Sequence, residues 1–198
     1  MNYDLIFLRA KHWQLFSVIH LIPAATLFGL VWWLKETYLP SLVCSSEIEI
    51  PTLVYLALPT LVVLPLLSFL GWLWSVGTGL QAYVKDSEAR MNTAFFKVFF
   101  ITPFLILGAL AGLVWWYWQE INVFALQEEW IVIALGLATT LFLQFCALAV
   151  PYGAAKSLRV AEENRPVSFW EPIGDFFLIL FFPVGIWFLQ PRINRVVG

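Results

Sequence analysis

The chain has 198 residues, of which 61% are hydrophobic and only 12% are charged. Soluble domains carry about 25% charged residues, so this chain lacks the polar side chains to cover its own surface in water, and its composition indicates an integral membrane protein. The net charge of −2, without a basic cluster, disfavours nucleic-acid binding. Two cysteines and two histidines are too few for a disulfide framework or a four-ligand metal site.

Four apolar stretches are long enough to cross a bilayer, which takes about 20 residues. They cover residues 13–34, 52–76, 95–118 and 130–150, and each is almost free of charge. Pro59 and Pro65 fall inside the second stretch, where we expect kinks rather than a break. The sequence therefore predicts an all-α fold with four transmembrane helices in one membrane domain that covers residues 1–198.

The basic residues orient the chain, because Lys and Arg concentrate in cytoplasmic loops. If the N-terminus is cytoplasmic, ten of the eleven basic residues fall on the cytoplasmic side, and only Lys35 falls on the other. This asymmetry predicts a multi-pass protein with both termini in the cytoplasm.

Two parts of the sequence resemble each other. The string GLVWW occurs at residues 29–33 and 112–116, and residues 76–96 align with residues 150–170. Two spans separate the copies, so the alignment predicts two parallel helix-hairpin repeats, about 13–94 and about 95–170, ahead of a C-terminal segment, 171–198. Chance similarity is the alternative, because membrane segments reuse few residue types. Each copy has small residues at a spacing that lets helices pack closely: Ala25 with Gly29, and Gly108 with Gly112.

The C-terminal segment contains the stretch DFFLILFFPVGIWFLQPR. Its apolar part, residues 176–190, would rise about 22 Å as a helix, against a hydrocarbon core of about 30 Å. Pro183 and Gly185 lie where a turn would be needed, and a full span would separate Arg192 and Arg195 from the other basic residues. We therefore expect a re-entrant or interfacial hairpin, with a short fifth span as the alternative.

Four charged residues flank this apolar part, two acidic residues before it and two arginines after it: Glu171, Asp175, Arg192 and Arg195. Three interpretations remain open, namely ion pairs between the two ends, contact of the arginines with anionic lipid headgroups, and a protein partner. Ahead of them, residues 153–164 are expected to continue the fourth helix, with Arg159 and Glu163 as an i,i+4 pair. Pro166 is expected to end that helix.

Polar side chains lie at a similar depth in all four predicted spans: His20, Ser68, Thr102 and Gln144. Ionisable groups inside a membrane often mark functional sites, so one interpretation is a proton- or ligand-binding pocket open to the cytoplasm. The other, which we favour, is a set of interhelical hydrogen bonds that fix the packing of the bundle.

The stretches FWEPIGDFFLILFFPVGIWFLQPRIN (169–194) and MNTAFFKVFFITP (91–103) resemble a pattern found in small uncharacterised bacterial multi-span membrane proteins. The resemblance covers about a third of the chain. It implies the bacterial cytoplasmic (inner) membrane, and it brings no activity, cofactor or catalytic residue with it.

The sequence contains no convergent set of nucleophile, base and metal ligands. We therefore expect no catalytic residues, no cofactor and no metal, and a non-enzymatic protein that acts as an accessory or scaffold subunit of a larger membrane complex, or as a homo-oligomer. The expected partners are the lipid bilayer and other membrane chains or copies of itself. The alternative is a small transporter or channel with a pocket that faces the cytoplasm.

Overall fold

The computed structural model describes residues 4–33, 35–36, 52–120 and 130–198, with residues 4–5, 52–60, 116–120 and 130–133 described by their backbone alone. Within these ranges the chain forms eight α-helices and no β-strand: α1 (Asp4–Arg9), α2 (His12–Phe16), α3 (Ile22–Trp33), α4 (Thr52–Trp74), α5 (Ala94–Glu120), α6 (Trp130–Glu163), α7 (Ile173–Leu180) and α8 (Phe182–Val197). A π-helical turn, Ser17–Leu21, joins α2 to α3. A second π-helical turn, Ser75–Gly79, follows α4 and leads into a 3-10 turn, Leu80–Tyr83.

Four helical stretches of the described chain are long and apolar enough to cross a membrane: His12–Trp33, Leu61–Tyr83, Ala94–Trp115 and Ala134–Glu163. Each overlaps one predicted span, so the all-α fold with four apolar helices of spanning length is confirmed. The helix α4 passes both Pro59 and Pro65 without a break, and the kinks expected at these prolines stay a prediction.

The helix α6 continues to Glu163, which confirms that residues 153–163 remain helical. The predicted pair is present, with Arg159 Nη1 lying 3.4 Å from Glu163 Oε1. Asn164 follows with a φ of 50°, the left-handed conformation that commonly ends a helix. The helix therefore stops just ahead of Pro166, and Asn164 supplies the terminating conformation.

The contacts divide the chain into two compact units, one of Met1–Ser75 with Phe177–Gly198 and one of Val76–Phe176. In the first unit α3 packs against α4, and α8 packs against α1 and α2. In the second unit α6 packs against α5 and against the 3-10 turn. The predicted boundary between repeats, between residues 94 and 95, lies inside the second unit, and the duplication itself stays a prediction.

The two segments that the predicted repeat aligns fold differently. Residues 76–83 form π-helical and 3-10 turns, whereas residues 150–163 are α-helical throughout. Gly77 and Gly79 lower the helix propensity of the first segment, while Ala154 and Ala155 favour the α-helix in the second.

Phe96 lies against two glycines of the second unit. A Cβ atom on Gly153 would lie 2.8 Å from the Phe96 ring, and one on Gly77 would overlap the same ring. The ring is itself buried. The absence of a side chain at both glycines is therefore what admits this aromatic residue.

The C-terminal segment is helical on both sides of one break. α7 ends at Leu180, and Phe181 has a φ of −92° and a ψ of 47°, outside the helical region, before α8 begins. The sequence placed the turn at Pro183–Gly185, but Pro183 lies in the first turn of α8, where its missing N–H is not needed. Gly185 is nevertheless essential to the bend, because a Cβ atom there would overlap the carbonyl of Leu178.

One face of α8 is buried. Its buried positions repeat at the spacing of an amphipathic helix: Phe182, Gly185, Ile186, Leu189, Gln190, Ile193 and Val197. Apolar side chains also lie on the exposed face of the first half of the helix, at Val184, Trp187 and Phe188. The second half instead carries Arg192 and Arg195, of which Arg195 is exposed.

Candidate functional site

A fully buried amide lies at the centre of the first unit. The Gln190 side chain has 0% exposure, and its Oε1 atom accepts a hydrogen bond of 2.8 Å from Trp72 Nε1. Its Nε2 atom shares its two N–H groups among four acceptors, namely the backbone carbonyls of Ala10 at 2.8 Å, Phe7 at 3.1 Å and Leu8 at 3.2 Å, and Asn194 Oδ1 at 3.2 Å. We call this set of contacts the amide anchor.

The amide anchor satisfies groups that helix geometry leaves without partners. The last four carbonyls of a helix have no N–H partner within it, and α1 has only six residues in all. Asn194, one turn after Gln190, adds a hydrogen bond of 3.3 Å from Nδ2 to the Ala10 carbonyl. The anchor thus fixes α8 against the end of α1, which is a structural role. Sequence reasoning missed it, although a glutamine at the end of a long apolar run was the available signal.

Aromatic rings surround the anchor in the same unit. The ring centroids of Trp72 and Phe182 lie 4.9 Å apart, and those of His12 and Trp187 lie 4.6 Å apart. His20 lies in the π-helical turn with its ring 6.1 Å from that of Phe182. Its Nε2 atom is buried and makes no hydrogen bond with the described residues. Single π-helical turns are frequent at functional sites, so His20 is a candidate polar contact for a ligand.

The four residues of the predicted polar layer divide between the two units. His20 and Ser68 belong to the first, and Thr102 and Gln144 belong to the second. Ser68 and Thr102 are half-buried, whereas Gln144 is exposed. Their convergence on one pocket stays a prediction.

A second polar cluster involves the end of α6 and the chain that follows it. Arg159 Nε lies 2.9 Å from Asp175 Oδ2, and the carboxylate of Asp175 is only 3% exposed. Arg165 Nη2 lies 2.7 Å from Glu171 Oε2, and the same guanidinium also pairs with Glu163. We call these five residues the ionic cluster. Two of the predicted lipid or partner contacts, Glu171 and Asp175, thus have arginine partners within their own unit.

The ionic cluster shifts the ionisation of its exposed members. The Ser168 backbone N–H, which donates to Glu171 Oε1 at 2.9 Å, and the Arg165 guanidinium together lower the pKa of Glu171. The hydrogen bond with Glu171 and the charge of Glu163 raise the pKa of Arg165. Both groups are therefore held in their charged forms at neutral pH.

The outward side of α6 carries a small-and-polar face that consists of Gly136, Thr140 and Gln144. The spacing of four residues places all three on one side of the helix, and all are exposed. The Thr140 hydroxyl donates to the Gly136 carbonyl at 2.8 Å. The Gln144 side chain makes no hydrogen bond with any described residue. The sequence prediction included Gln144 but missed Gly136 and Thr140, although their i,i+4,i+8 spacing was readable.

The four small residues predicted for helix packing also face outward: Ala25, Gly29, Gly108 and Gly112. A Cβ atom on any of the three glycines would meet no described atom within 4 Å. All four positions are thus open within their own units, and their predicted role in helix packing stays a prediction.

The residues that the structure describes contain no group of three or more His, Cys, Asp or Glu side chains that could hold a metal ion. Comparison with protein-family models, with curated proteins and with solved structures found no match for the chain.

Proposed function

We propose that this protein is a non-enzymatic integral membrane subunit that assembles through the outward face of α6 with another membrane chain or a second copy of itself. The observation that supports the proposal best is Gln144, an exposed amide without a hydrogen bond to any described residue, in the uncharged part of α6. Lipid offers an amide no partner, whereas a neighbouring helix does.

The physical chemistry of helix association in membranes supports this surface. Interhelical hydrogen bonds contribute about 0.6–2 kcal/mol each, and small residues let backbones approach closely. The face provides both, because the Gln144 amide is available for a hydrogen bond and Gly136 adds no side chain. The Thr140 hydroxyl, by contrast, is already paired with the Gly136 carbonyl of its own helix. The outward pairs Ala25 with Gly29 and Gly108 with Gly112 offer further positions for close packing.

The proposed topology has both termini in the cytoplasm of a bacterial inner membrane, because ten of eleven basic residues then lie on the cytoplasmic side. Two tandem parallel repeats would provide the four spans. The C-terminal segment would be re-entrant or interfacial. Exposed apolar side chains in the first half of α8 suit the hydrocarbon boundary, and the arginines of the second half suit the headgroups.

A small transporter or channel is the second candidate. The buried, unpaired Nε2 atom of His20 in a π-helical turn favours it, because such an atom can bind a proton or a polar solute. A liposome assay in which His20→Leu abolishes a solute flux would favour this function over assembly alone.

The assembly proposal is tested by purification in mild detergent followed by native mass spectrometry. The wild-type chain is expected as a complex, and Gln144→Leu is expected to shift it toward the monomer. Leu135→Ala is the matched control, because Leu135 lies nine residues away on the opposite side of α6 and is 63% exposed. A wild-type chain that is monomeric throughout would contradict the proposal.

A further inference from the structure

A groove in the first unit has the composition of a lipid site. It measures about 390 Å³ and lies between α1, α2, the first π-helical turn and α4. Its walls are mainly apolar and include Ile6, Phe7, Leu15 and Val18. This volume lies in the range of about 300–1,000 Å³ that is usual for small-molecule sites.

The polar groups that line the groove favour a negatively charged ligand. Arg9 lines the groove, is exposed and has no ion pair with any described side chain. Gln14 also lines it, and the oxygen of its amide is occupied by the Lys11 backbone N–H at 2.8 Å. The group that Gln14 leaves available is its NH₂ donor. None of the described residues that line the groove is acidic.

The amide anchor removes a feature that would repel an anion. The carbonyls at the end of α1 carry the negative end of the helix dipole, but Gln190 donates to those of Phe7, Leu8 and Ala10. The Arg9 guanidinium is thus left as the dominant charge of the groove.

The position of the groove relative to the apolar helices indicates that its ligand comes from the membrane. Arg9 and Ala10 precede the apolar helical stretch His12–Trp33, whereas Ser68 lies within the stretch Leu61–Tyr83, seven residues after its start. The part of the groove at Arg9 therefore lies at the start of the first apolar stretch, where lipid headgroups meet acyl chains, and the part at Ser68 lies against the second stretch. We propose that it binds one anionic phospholipid, with the phosphate at Arg9 and Gln14 and part of an acyl chain along the apolar wall. This site lies in the first unit and does not depend on the proposed role of α6.

The proposal is tested by native mass spectrometry of the delipidated, full-length protein with equal amounts of dioleoyl-phosphatidylglycerol and dioleoyl-phosphatidylcholine. The wild type is expected to retain one phosphatidylglycerol in preference. Arg9→Gln is expected to weaken that preference about fivefold, the contribution of one basic residue near an anionic headgroup. Lys97→Gln, which removes an exposed charge from the second unit, is the matched control and should change nothing.

A second variant tests the apolar wall. Ser68→Phe fills the groove and is expected to lower retention of both lipids, and soluble glycerol phosphate should not displace bound phosphatidylglycerol. Equal retention of the two lipids by the wild type, or equal losses in Arg9→Gln and Lys97→Gln, would overturn the proposal. Displacement by glycerol phosphate would identify an anion site without lipid and would overturn it as well.

Discussion

The helix α8 and the loop that covers residues 164–172 are both fixed by polar side chains, but the chemistry of the two regions differs. Gln190 joins α8 to the end of α1 and to Trp72 through neutral hydrogen bonds that are closed to solvent. The loop is fixed to the end of α6 by the ionic cluster, whose Arg165 side chain is 53% exposed.

This difference determines how the stability of each region responds to substitution, salt and pH. When a buried amide is removed, the buried groups that were bonded to it cannot bond to water instead. Each of these unsatisfied groups costs about 1–3 kcal/mol. Exposed ion pairs are worth about 0–1 kcal/mol and weaken in salt. Breaking the amide anchor should therefore cost much stability, and that cost should not depend on pH. Breaking the ionic cluster should cost less, and its cost should depend on salt and pH.

The largest effect is expected at Gln190. Gln190→Leu removes the partner of the Trp72 N–H and of the Phe7 and Leu8 carbonyls, while the Ala10 carbonyl keeps its bond from Asn194. We expect a loss of about 3–5 kcal/mol in the free energy of unfolding. Thermal or denaturant unfolding in detergent measures it. Asn194→Leu is the comparison: the half-buried Asn194 donates to the Ala10 carbonyl and accepts from Gln190 Nε2 at 3.2 Å. Gln190 keeps its hydrogen bonds with Trp72 and the backbone carbonyls in that variant, so the loss should be smaller. Equal losses in both variants would contradict the central place of Gln190.

The next effect is expected at the bend between α7 and α8. Gly185→Ala forces backbone movement, because the new Cβ atom overlaps the Leu178 carbonyl, and we expect a loss of about 2–4 kcal/mol. Gly174→Ala is a matched control, since a Cβ at that exposed position in α7 meets no described atom within 4 Å. It should be neutral or stabilise the helix by up to about 1 kcal/mol. Comparable destabilisation by the two substitutions would show that the bend is not tightly packed.

A smaller effect is expected in the ionic cluster. Asp175→Asn removes the buried partner of Arg159, but the Arg159 side chain is 34% exposed and can return to water. We therefore expect a loss of about 1–2 kcal/mol, below that of a fully buried pair. Unfolding at low and at high salt measures it, and the difference from wild type should shrink as salt rises. A loss that does not change with salt would mean that packing, not charge, dominates at Asp175.

The smallest effect is a pH dependence at Glu171. Its pKa is lowered in the folded chain, so its contribution to stability is present above the ordinary glutamate value of about 4.3 and is lost as the pH falls through the lowered value. Unfolding curves of wild type and Glu171→Gln should differ at neutral pH and converge in acid. Gln190→Leu should keep its difference from wild type at every pH. Curves for Glu171→Gln that fail to converge in acid would contradict the ionic account.

The spans and the end of α6 were predictable from the sequence because they depend on local properties. Apolar length fixes the four helices, and the i,i+4 spacing fixes the Arg159–Glu163 pair. The bend at Phe181 was placed two to four residues too late, because proline was taken as a breaker when it begins α8.

The amide anchor and the packing of Phe96 against two glycines could not be predicted from local sequence. Gln190 meets Trp72, which is 118 residues distant in the chain, and the ring of Phe96 meets Gly77 and Gly153 of separate segments. Single-sequence patterns carry no information on such distant pairs. The outward face of α6 was predictable in part. The spacing of its residues can be read from the sequence, but their exposure depends on tertiary packing.

The most direct test of the proposed assembly is photo-crosslinking in native membranes. A benzophenone amino acid in place of Gln144 is expected to give adducts with a membrane protein, either another chain or a second copy. The same probe in place of Leu135 is expected to give lipid adducts. Lipid adducts alone at position 144 would contradict the assembly of this protein through the outward face of α6.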